Sequence, residues 1–530
     1  MKKLFKSIGI SISLILLSAV IMFAQAQGGE SAKEKNIKDI ATFGTLSTSK
    51  DVPEDLLKEV DNQVVTAIEE LKRFRVQGLQ NYRFASDNVE EFIKAIQGYR
   101  LEAGKNKTAD QKFAGVSLTG DEFDKLMQAF LVAIPVVSNY SVSYTTSKKE
   151  KTNIIVKKCE LKCDLTIKFI DVAGAKTIDP IKVSFDGEAS KEDTAKGTAE
   201  KLVGAATGGE TADFTEAEKA ELFTQARSDA VGGMAGVITM KIRQHPFFQL
   251  KTKILDVNGA DITIELGQDL GISPGDEFKV EIEENLGNTE FKKKTEVGYI
   301  RIHSVEEGAS IGRLLWGSVQ NGDPVIENAL YGVYIDLKLG MATWNRTKEF
   351  KQAFKAGFDK DKVDEDFKDD SIMPSAQLSF GKEIGYQFKI EFDLGTVIPL
   401  EGKFYSFLGE LGGRWTYYFG GIPLSFDIGL FGTVGGIYGK WTDDSTGTDV
   451  DAEVTGVAFG GKGELNLYYQ IGANFKLGLG GGFRFTTDMN KDNLTYKVDG
   501  NDSKSSIPDN DEIKSNFTGA FANLTIQGRF

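Results

Sequence analysis

From Tyr331 to Phe530 the chain alternates apolar with polar or small residues at a period of two, the pattern of strands whose two faces meet different environments. Eight segments follow this rule. The first, Tyr331–Trp344, sets Tyr331, Val333, Ile335, Leu337, Leu339 and Met341 against Gly332, Tyr334, Asp336, Lys338, Gly340 and Ala342, and the second, about 375–381, carries Ala376, Leu378 and Phe380 on one face. The third opposes Tyr386, Phe388, Ile390, Phe392 and Leu394 to Lys389, Glu391 and Asp393, and the fourth opposes Tyr405, Phe407, Leu411, Trp415, Tyr417 and Phe419 to Glu410 and Arg414. In the fifth, Leu424, Phe426, Ile428 and Leu430 face away from Asp427; in the sixth, Val457, Phe459, Leu465, Leu467 and Tyr469 face away from Lys462 and Glu464. The seventh sets Phe475, Leu477, Leu479, Phe483 and Phe485 against Lys476 and Arg484, and the eighth sets Ala520, Ala522, Leu524, Ile526 and Phe530 against Thr525, Gln527 and Arg529.

In strands one and three to seven the charged residues named above share one face. A Lys or Arg turned toward mid-bilayer lipid costs about 2–4 kcal/mol, so the segregation is what a membrane demands. A soluble sandwich also alternates, but it puts the charged face outside. The joins after strands one, three, five and seven (345–374, 397–403, 440–453, 487–515) are mostly long and polar, whereas Gly381–Gly385, Gly420–Pro423 and Gln470–Asn474 are short. Long joins at one end and tight turns at the other predict an eight-stranded antiparallel transmembrane β-barrel over 328–530, of the outer-membrane kind. The terminal aromatic Phe530 resembles the signal that hands bacterial outer-membrane proteins to the barrel-assembly machinery. Trp344, Trp415 and Trp441 are expected at the membrane interfaces as girdle residues. An eight-stranded interior is filled by side chains, and its charges balance. Lys338, Lys389, Arg414, Lys462, Lys476 and Arg484 stand against Asp336, Glu391, Asp393, Glu410, Asp427 and Glu464, which predicts a mutually paired network rather than the one-signed lining of an ion channel.

Ahead of the barrel the period changes. Lys2, Lys3 and Lys6, an apolar run from Ile8 to Phe23 and Ala24-Gln25-Ala26 read as a signal peptide over 1–26, the alternative being an uncleaved membrane anchor. Residues 28–249 read as an α/β domain exported to the periplasm. A short strand at Ile40–Phe43 precedes a helix starting at Pro53, with Asp51 as a cap candidate and Leu57, Val60, Val64, Ile68 and Leu71 as its stripe. Phe74-Arg75-Val76 opens a strand, helices are expected near 89–99 and 121–135, and strands at 138–146, 153–170 and 181–187. The stretch 188–212 reads as a mobile loop, and a last helix opens with the capping box Thr215/Glu218 and stops before Pro246. Residues 250–327 read as a small all-β module, in which Gly271 and Gly275-Asp276 suit tight turns.

The run Leu71-Lys72-Arg73-Phe74-Arg75-Val76, the strand Leu165-Thr166-Ile167-Lys168-Phe169-Ile170-Asp171-Val172-Ala173-Gly174 and the closing helix resemble the periplasmic α/β domain of the curli-secretion-channel and penicillin-binding-protein-activator group. The chain departs from that group in lacking its lipidated cysteine. The module, with Leu266-Gly267-Gln268-Asp269-Leu270-Gly271-Ile272-Ser273-Pro274-Gly275-Asp276 and Gly322-Asp323-Pro324-Val325, is similar to the C-terminal domain of the flagellar assembly T protein.

Composition narrows the function. The net charge of −14 becomes −17 once the leader lysines are removed, which argues against nucleic acid as a partner. Cys159 and Cys163 alternate onto one strand face about 13 Å apart, too far for a mutual disulfide. His245 and His303, the only histidines, show no ligand or triad spacing, and no cofactor or metal site is expected. The expectation is a non-enzymatic outer-membrane protein of a Gram-negative-type bacterium. Its partners are outer-membrane lipid, the barrel-assembly machinery during biogenesis, and an unidentified periplasmic protein or cell-wall component. The alternatives are an export channel or pore, and a surface adhesin using loops 345–374 and 487–515.

Overall fold

The computed structural model describes residues 37–49, 51–83, 111–113, 116–118, 129–148, 154–172, 174, 176–193, 214–285, 292–354, 370–399, 403–443, 450–490, 493–498, 501–502 and 512–530. The leader expected at 1–26 and the helix expected near 89–99 lie outside them. Two compact units divide the chain, one ending at Thr239 and the other beginning at Met240.

The first unit begins with β1 (Lys38–Phe43), β2 (Leu46–Ser47), α1 (Glu54–Glu70) and β3 (Phe74–Leu79). A small hairpin, β4 (Gln111–Phe113) and β5 (Val116–Leu118), precedes three long strands, β6 (Leu131–Lys148), β7 (Ile155–Asp171) and β8 (Lys176–Asp193). Helix α2 (Glu216–Gly232) follows, and α3 (Met234–Gln244) leads out of the unit. The sheet runs β3-β1-β6-β7-β8 with β2 beside β6; β1 and β2 pair parallel and β6, β7 and β8 antiparallel, so this is a mixed sheet dominated by its long strands.

Helix α1 turns Leu57, Val60, Val64 and Ile68 inward, and α2 turns Leu222, Ala226 and Ala230 inward. The capping box forms as the sequence predicts. Thr215 Oγ1 accepts from the Glu218 amide at 3.2 Å, and the Glu218 carboxylate accepts from the Thr215 amide at 2.8 Å. Three expectations need correction. Pro53 starts α1 without a side-chain cap, so Asp51 does not cap it. Residues 131–135, read as the end of a helix, belong to β6: Leu131-Val132-Ala133-Ile134 is buried on both faces between β1 and β7, and a short run buried on both sides cannot be told from a helix stripe by period. Strand β8 continues to Asp193, so the first residues of the expected loop at 188–212 are strand, and 194–212 lies outside the described residues. Cys159 and Cys163 are buried and unbridged on the same face of β7. Burial pushes the Cys163 thiol up to about 12, which makes it a poor nucleophile.

The second unit holds two barrels. In the smaller, β9 (Lys251–Asn258), β10 (Asp261–Ile264), β11 (Glu277–Asn285), β12 (Lys292–Val305), β13 (Ser310–Gly317) and β14 (Pro324–Glu327) close in the order β10-β13-β12-β11-β14-β9. Ile262, Ile264, Phe278, Val280, Ile300, Ile302 and Val325 fill it.

The larger barrel has eight antiparallel strands: β15 (Val333–Arg346), β16 (Asp370–Ile384), β17 (Phe388–Val397), β18 (Phe404–Tyr418), β19 (Leu424–Asp443), β20 (Val450–Ile471), β21 (Phe475–Thr486) and, last, β25 (Gly519–Arg529). Helix α4 (Lys348–Ala353) lies in the first long join, and β22 (Leu494–Val498), β23 (Asn501–Asp502) and β24 (Ser515–Asn516) in the last. Closure comes from β25, which pairs with β21 on one side and with β15 on the other, from Tyr334↔Arg529 to Ala342↔Phe521. All eight strands were legible in the alternation. The second is longer than expected because Pro374, opposite Met341, interrupts the pattern. Tyr386, read as the first outward residue of strand three, sits instead in the turn between β16 and β17.

Candidate functional site: a filled lumen and a charged junction

The outer surface of the large barrel is a band of exposed apolar side chains, among them Leu337, Leu339, Phe392, Phe407, Leu430, Leu465, Leu479 and Ile526. A closed barrel with this exterior is of the outer-membrane type, since closure leaves no backbone edge unpaired in lipid. Phe530 belongs to the band: its ring is exposed and its amide donates to Val333 O at 2.9 Å.

The twelve charged residues expected inside are all buried. Lys338 Nζ lies 2.6 Å from Glu391 and 3.1 Å from Asp393. Lys462 touches Asp393 at 2.8 Å, Glu410 at 2.5 Å and Glu464 at 2.8 Å. Arg414 grips Glu391 with two nitrogens at 2.7 Å each and also meets Glu464. Arg484 holds Glu410 at 2.8 Å, and Lys389 holds Asp427 at 2.9 Å. Ten of the twelve thus form ion pairs, and the expected six-on-six pairing needs correction at the other two. Asp336 is held by Gln527 at 2.8 Å and Tyr468 at 3.5 Å. Lys476, fully buried, has no hydrogen-bond partner for Nζ among the described residues and lies 5.7 Å from the Tyr418 ring centroid.

Above this layer, at the end away from the chain terminus, the lumen is apolar. Trp344, Met373, Val397, Phe404, Leu408, Ile437 and Val454 point inward from the strands, and Phe350 and Phe354 from the α4 segment join them. Met489, Leu494, Ile513 and Phe517 complete the plug from the last join. The Trp344 indole donates to Ser515 Oγ at 2.8 Å inside it, so Trp344 is a plug residue and not a girdle residue. Trp415 is half-exposed on the outer face, and the side chain of Trp441 lies outside the described residues. Parts of the joins 345–374 and 487–515, read as an outward surface, therefore fold back into the mouth.

The small barrel packs against the opposite mouth. Tyr299, Leu315 and Trp316 meet Tyr418 at the end of β18 and Ala473 and Tyr386 of the large barrel's turns. Gly421 donates its amide to Leu314 O at 2.7 Å. Gly275 has a φ of +101°, and a Cβ there would fall 2.5 Å from Gly385 O, so the two turns touch only because residue 275 has no side chain.

At the centre of this contact four charges interlock. Arg301 reaches out of the small barrel, donating to Tyr386 O at 3.0 Å, Gly385 O at 2.8 Å and Glu383 at 2.7 Å, and it also pairs with Glu277. Arg529, from the last strand of the large barrel, donates to Ala473 O at 3.0 Å, Glu383 at 3.0 Å and Glu277 at 2.6 Å. Tyr299 donates its hydroxyl to Glu277, and Asn328 donates to that hydroxyl at 2.7 Å. Burial works to raise the Glu277 carboxyl, but Arg529 and Arg301 outweigh it and hold the group below the usual range. Arg243 adds an outer strut, 2.8 Å from Asp276 and 2.7 Å from Glu327. A polar cavity of about 150 Å³ lies between the glycine turns and the four charges.

None of these four residues was singled out from the sequence. Arg529 was placed on the inner face of strand eight, but its partner Glu277 lies 252 positions earlier, and no linear pattern connects them. Arg301 between Ile300 and Ile302 was the available signal: a charge in the middle of an apolar strand that must find a counter-charge.

Among the described residues no group of three His, Cys, Asp or Glu side chains could hold a metal ion. The rings of His303 and Tyr386 meet at a tilt with centroids 5.5 Å apart, and those of His245 and Phe248 do so at 5.2 Å.

No protein-family model matches the chain, and no curated protein matches its sequence. Among solved structures it is similar to the surface protein NspA of Neisseria, with 12% identity over 38% of this chain and all of that one, at a TM-score of 0.24. The N-terminal β-barrel domain of Pseudomonas aeruginosa OprF shows 10% identity over 38% of this chain and 99% of its own, at 0.19. A neuraminyllactose-binding hemagglutinin homologue of Helicobacter pylori shows 10% identity over 31% of this chain and 70% of its own, at 0.18. Likenesses this loose identify no family.

Proposed function

We propose that the protein is a non-enzymatic outer-membrane anchor whose preceding domains lie in the periplasm and bind another envelope component. The observation that carries the reading is the closure of the lumen along its whole length. An apolar plug fills one mouth, paired charges fill the middle, and the small barrel covers the other mouth with Arg301, Arg529, Glu277 and Glu383. A side-chain-filled barrel gives no continuous water path, so its physical role is to hold what is attached to it. The junction supports this, because it fixes the small barrel rigidly to the membrane barrel instead of leaving it on a tether. With both chain ends of an even-numbered barrel on the junction side, short turns face the periplasm and long joins face outward.

Full-length protein reconstituted in planar bilayers tests the reading. A silent bilayer is expected, with the protein shown to be inserted by its heat-modifiable gel mobility. Steady unit conductance from correctly folded protein would overturn the anchor in favour of a channel.

A further inference from the structure

Among the described residues, the mixed sheet of the first unit has an open flank in its interior. Strand β6 is flanked on one side by β1 and β2 only as far as Val137; the last contact is the Thr48 amide donating to Val137 O at 3.0 Å. Beyond it a β-bulge falls between Ser138 and Ser141, and Asn139 adopts a left-handed φ of +53°, its side chain donating to Asp164 at 2.6 Å. A bulge re-aims a strand and ends pairing, and here it turns β6 out from beside β2. Residues 139–147 then run on with β7 on one side and, among the described residues, no strand on the other.

Edges of this kind are normally guarded by charge or proline. The terminal edge strand of the same sheet, β8, obeys the rule with Asp179, Pro180, Lys182, Asp186, Glu188 and Lys191. The open stretch of β6 does not. Asn139-Tyr140-Ser141-Val142-Ser143-Tyr144-Thr145-Thr146-Ser147 holds neither a charge nor a proline. It is also held in place: Tyr144 donates to Lys219 O at 3.4 Å and its ring packs edge-on to Phe214 at 5.4 Å. A rigid, uncharged, unguarded edge keeps its row of backbone donors and acceptors ready for another strand.

We infer that this edge pairs with its own copy, so that two chains join by antiparallel addition of β6 to β6 about a two-fold axis at Ser143. The charge pattern suits a second copy. Antiparallel self-pairing centred on Ser143 sets Ser141 opposite Thr145, Val142 opposite Tyr144 and Asn139 opposite Ser147, with no like charges brought together. The first charged residue, Lys148, falls opposite Ser138. Self-complementary edges of this kind are what an isologous two-fold interface requires. The exposed side chains Ser141, Ser143 and Thr145 stay on the open face of the continued sheet, and the half-buried Tyr140, Val142 and Tyr144 extend the helix-covered face into the partner.

Cysteine cross-linking of the full-length protein in its membrane tests this. Residues directly opposite in an antiparallel pair lie about 4.5–5.5 Å apart at Cα, within disulfide reach. Ser143→Cys is expected to give a reducible dimer under mild oxidation, whereas the parent, with Cys159 and Cys163 buried, gives none. Ser141→Cys alone gives no covalent dimer but cross-links when mixed with Thr145→Cys, which fixes the register. Ser143→Glu, which puts two carboxylates on the axis, is expected to weaken dimerisation at least tenfold while heat-modifiability stays unchanged. A folded protein that sediments as a monomer in detergent and gives no Ser143→Cys dimer overturns the proposal. So does slow amide exchange over 139–147 in such a monomer, which would show the edge covered by its own chain.

Discussion

The two barrels of the second unit are built from the same alternation and turned inside out relative to one another. In the six-stranded barrel the inner positions are Ile262, Ile264, Phe278, Val280 and Ile300; in the eight-stranded barrel they are Lys338, Glu391, Arg414, Lys462 and Glu464. Alternation makes a strand, and the surrounding solvent decides which face goes inside. Water drives the small barrel's apolar face inward at about 25 cal/mol per Å² buried. Lipid offers no such drive and accepts the apolar face outward, so the large barrel's interior must be held by the mutual pairing of its charges. Such pairing is stable as a set and costly to break singly.

The largest expected effect breaks that set. Lys462 pairs with Asp393, Glu410 and Glu464 at once. Lys462→Met leaves three buried carboxylates short of a cation and is expected to destabilise the barrel by about 3–5 kcal/mol. The urea midpoint of the heat-modifiable form in detergent checks this. An unchanged midpoint would mean that water, not Lys462, satisfies those carboxylates.

A smaller effect sharpens the contrast between exteriors. Leu430 on the large barrel is 72% exposed and Leu255 on the small barrel 49%. By exposure alone either tolerates a lysine within about 0.5 kcal/mol. Leu430→Lys is instead expected to cost about 2–4 kcal/mol in a bilayer, while Leu255→Lys stays near zero. Equal tolerance at both positions, measured by unfolding in lipid vesicles, would mean that residues 328–530 do not span a membrane.

What could be read in the sequence follows from the same physics. Strands with one face in lipid or water declare themselves by period two, so all eight membrane strands and the inward side of Lys389, Glu410 and Arg484 were legible. Strands buried on both faces do not, and Leu131–Ile134 was read as helix for that reason. Trp344 was misassigned because an aromatic near a strand end is equally suited to an interface and to a plug; only Ser515, 171 positions away, decides it. The junction charges belong to two barrels, and their pairing exists only once both have closed.

The last expectation concerns that junction and carries a sign. Burial and the two guanidiniums act in opposite directions on Glu277, and Arg529 and Arg301 prevail, so its folded-state value lies below the ordinary 4.5. A carboxylate shifted this way stabilises the folded arrangement fully above its unfolded value and loses that stabilisation as pH falls through the folded one. Docking of the small barrel is therefore expected to hold at neutral pH and to loosen below about pH 4.5, while the membrane barrel keeps its heat-modifiable mobility. Amide exchange at the turns 385–387 and 471–474 reads this directly. Glu277→Gln should speed exchange at neutral pH and flatten its dependence in the acid range. The effect is the smallest of the three because Glu383 still links Arg301 and Arg529 at 2.7 and 3.0 Å. If exchange at both turns is indifferent to acid and to Glu277→Gln, the aromatic contacts of Tyr299 and Trp316 with Tyr418 and Ala473 hold the two barrels together on their own, and the charges only set their orientation.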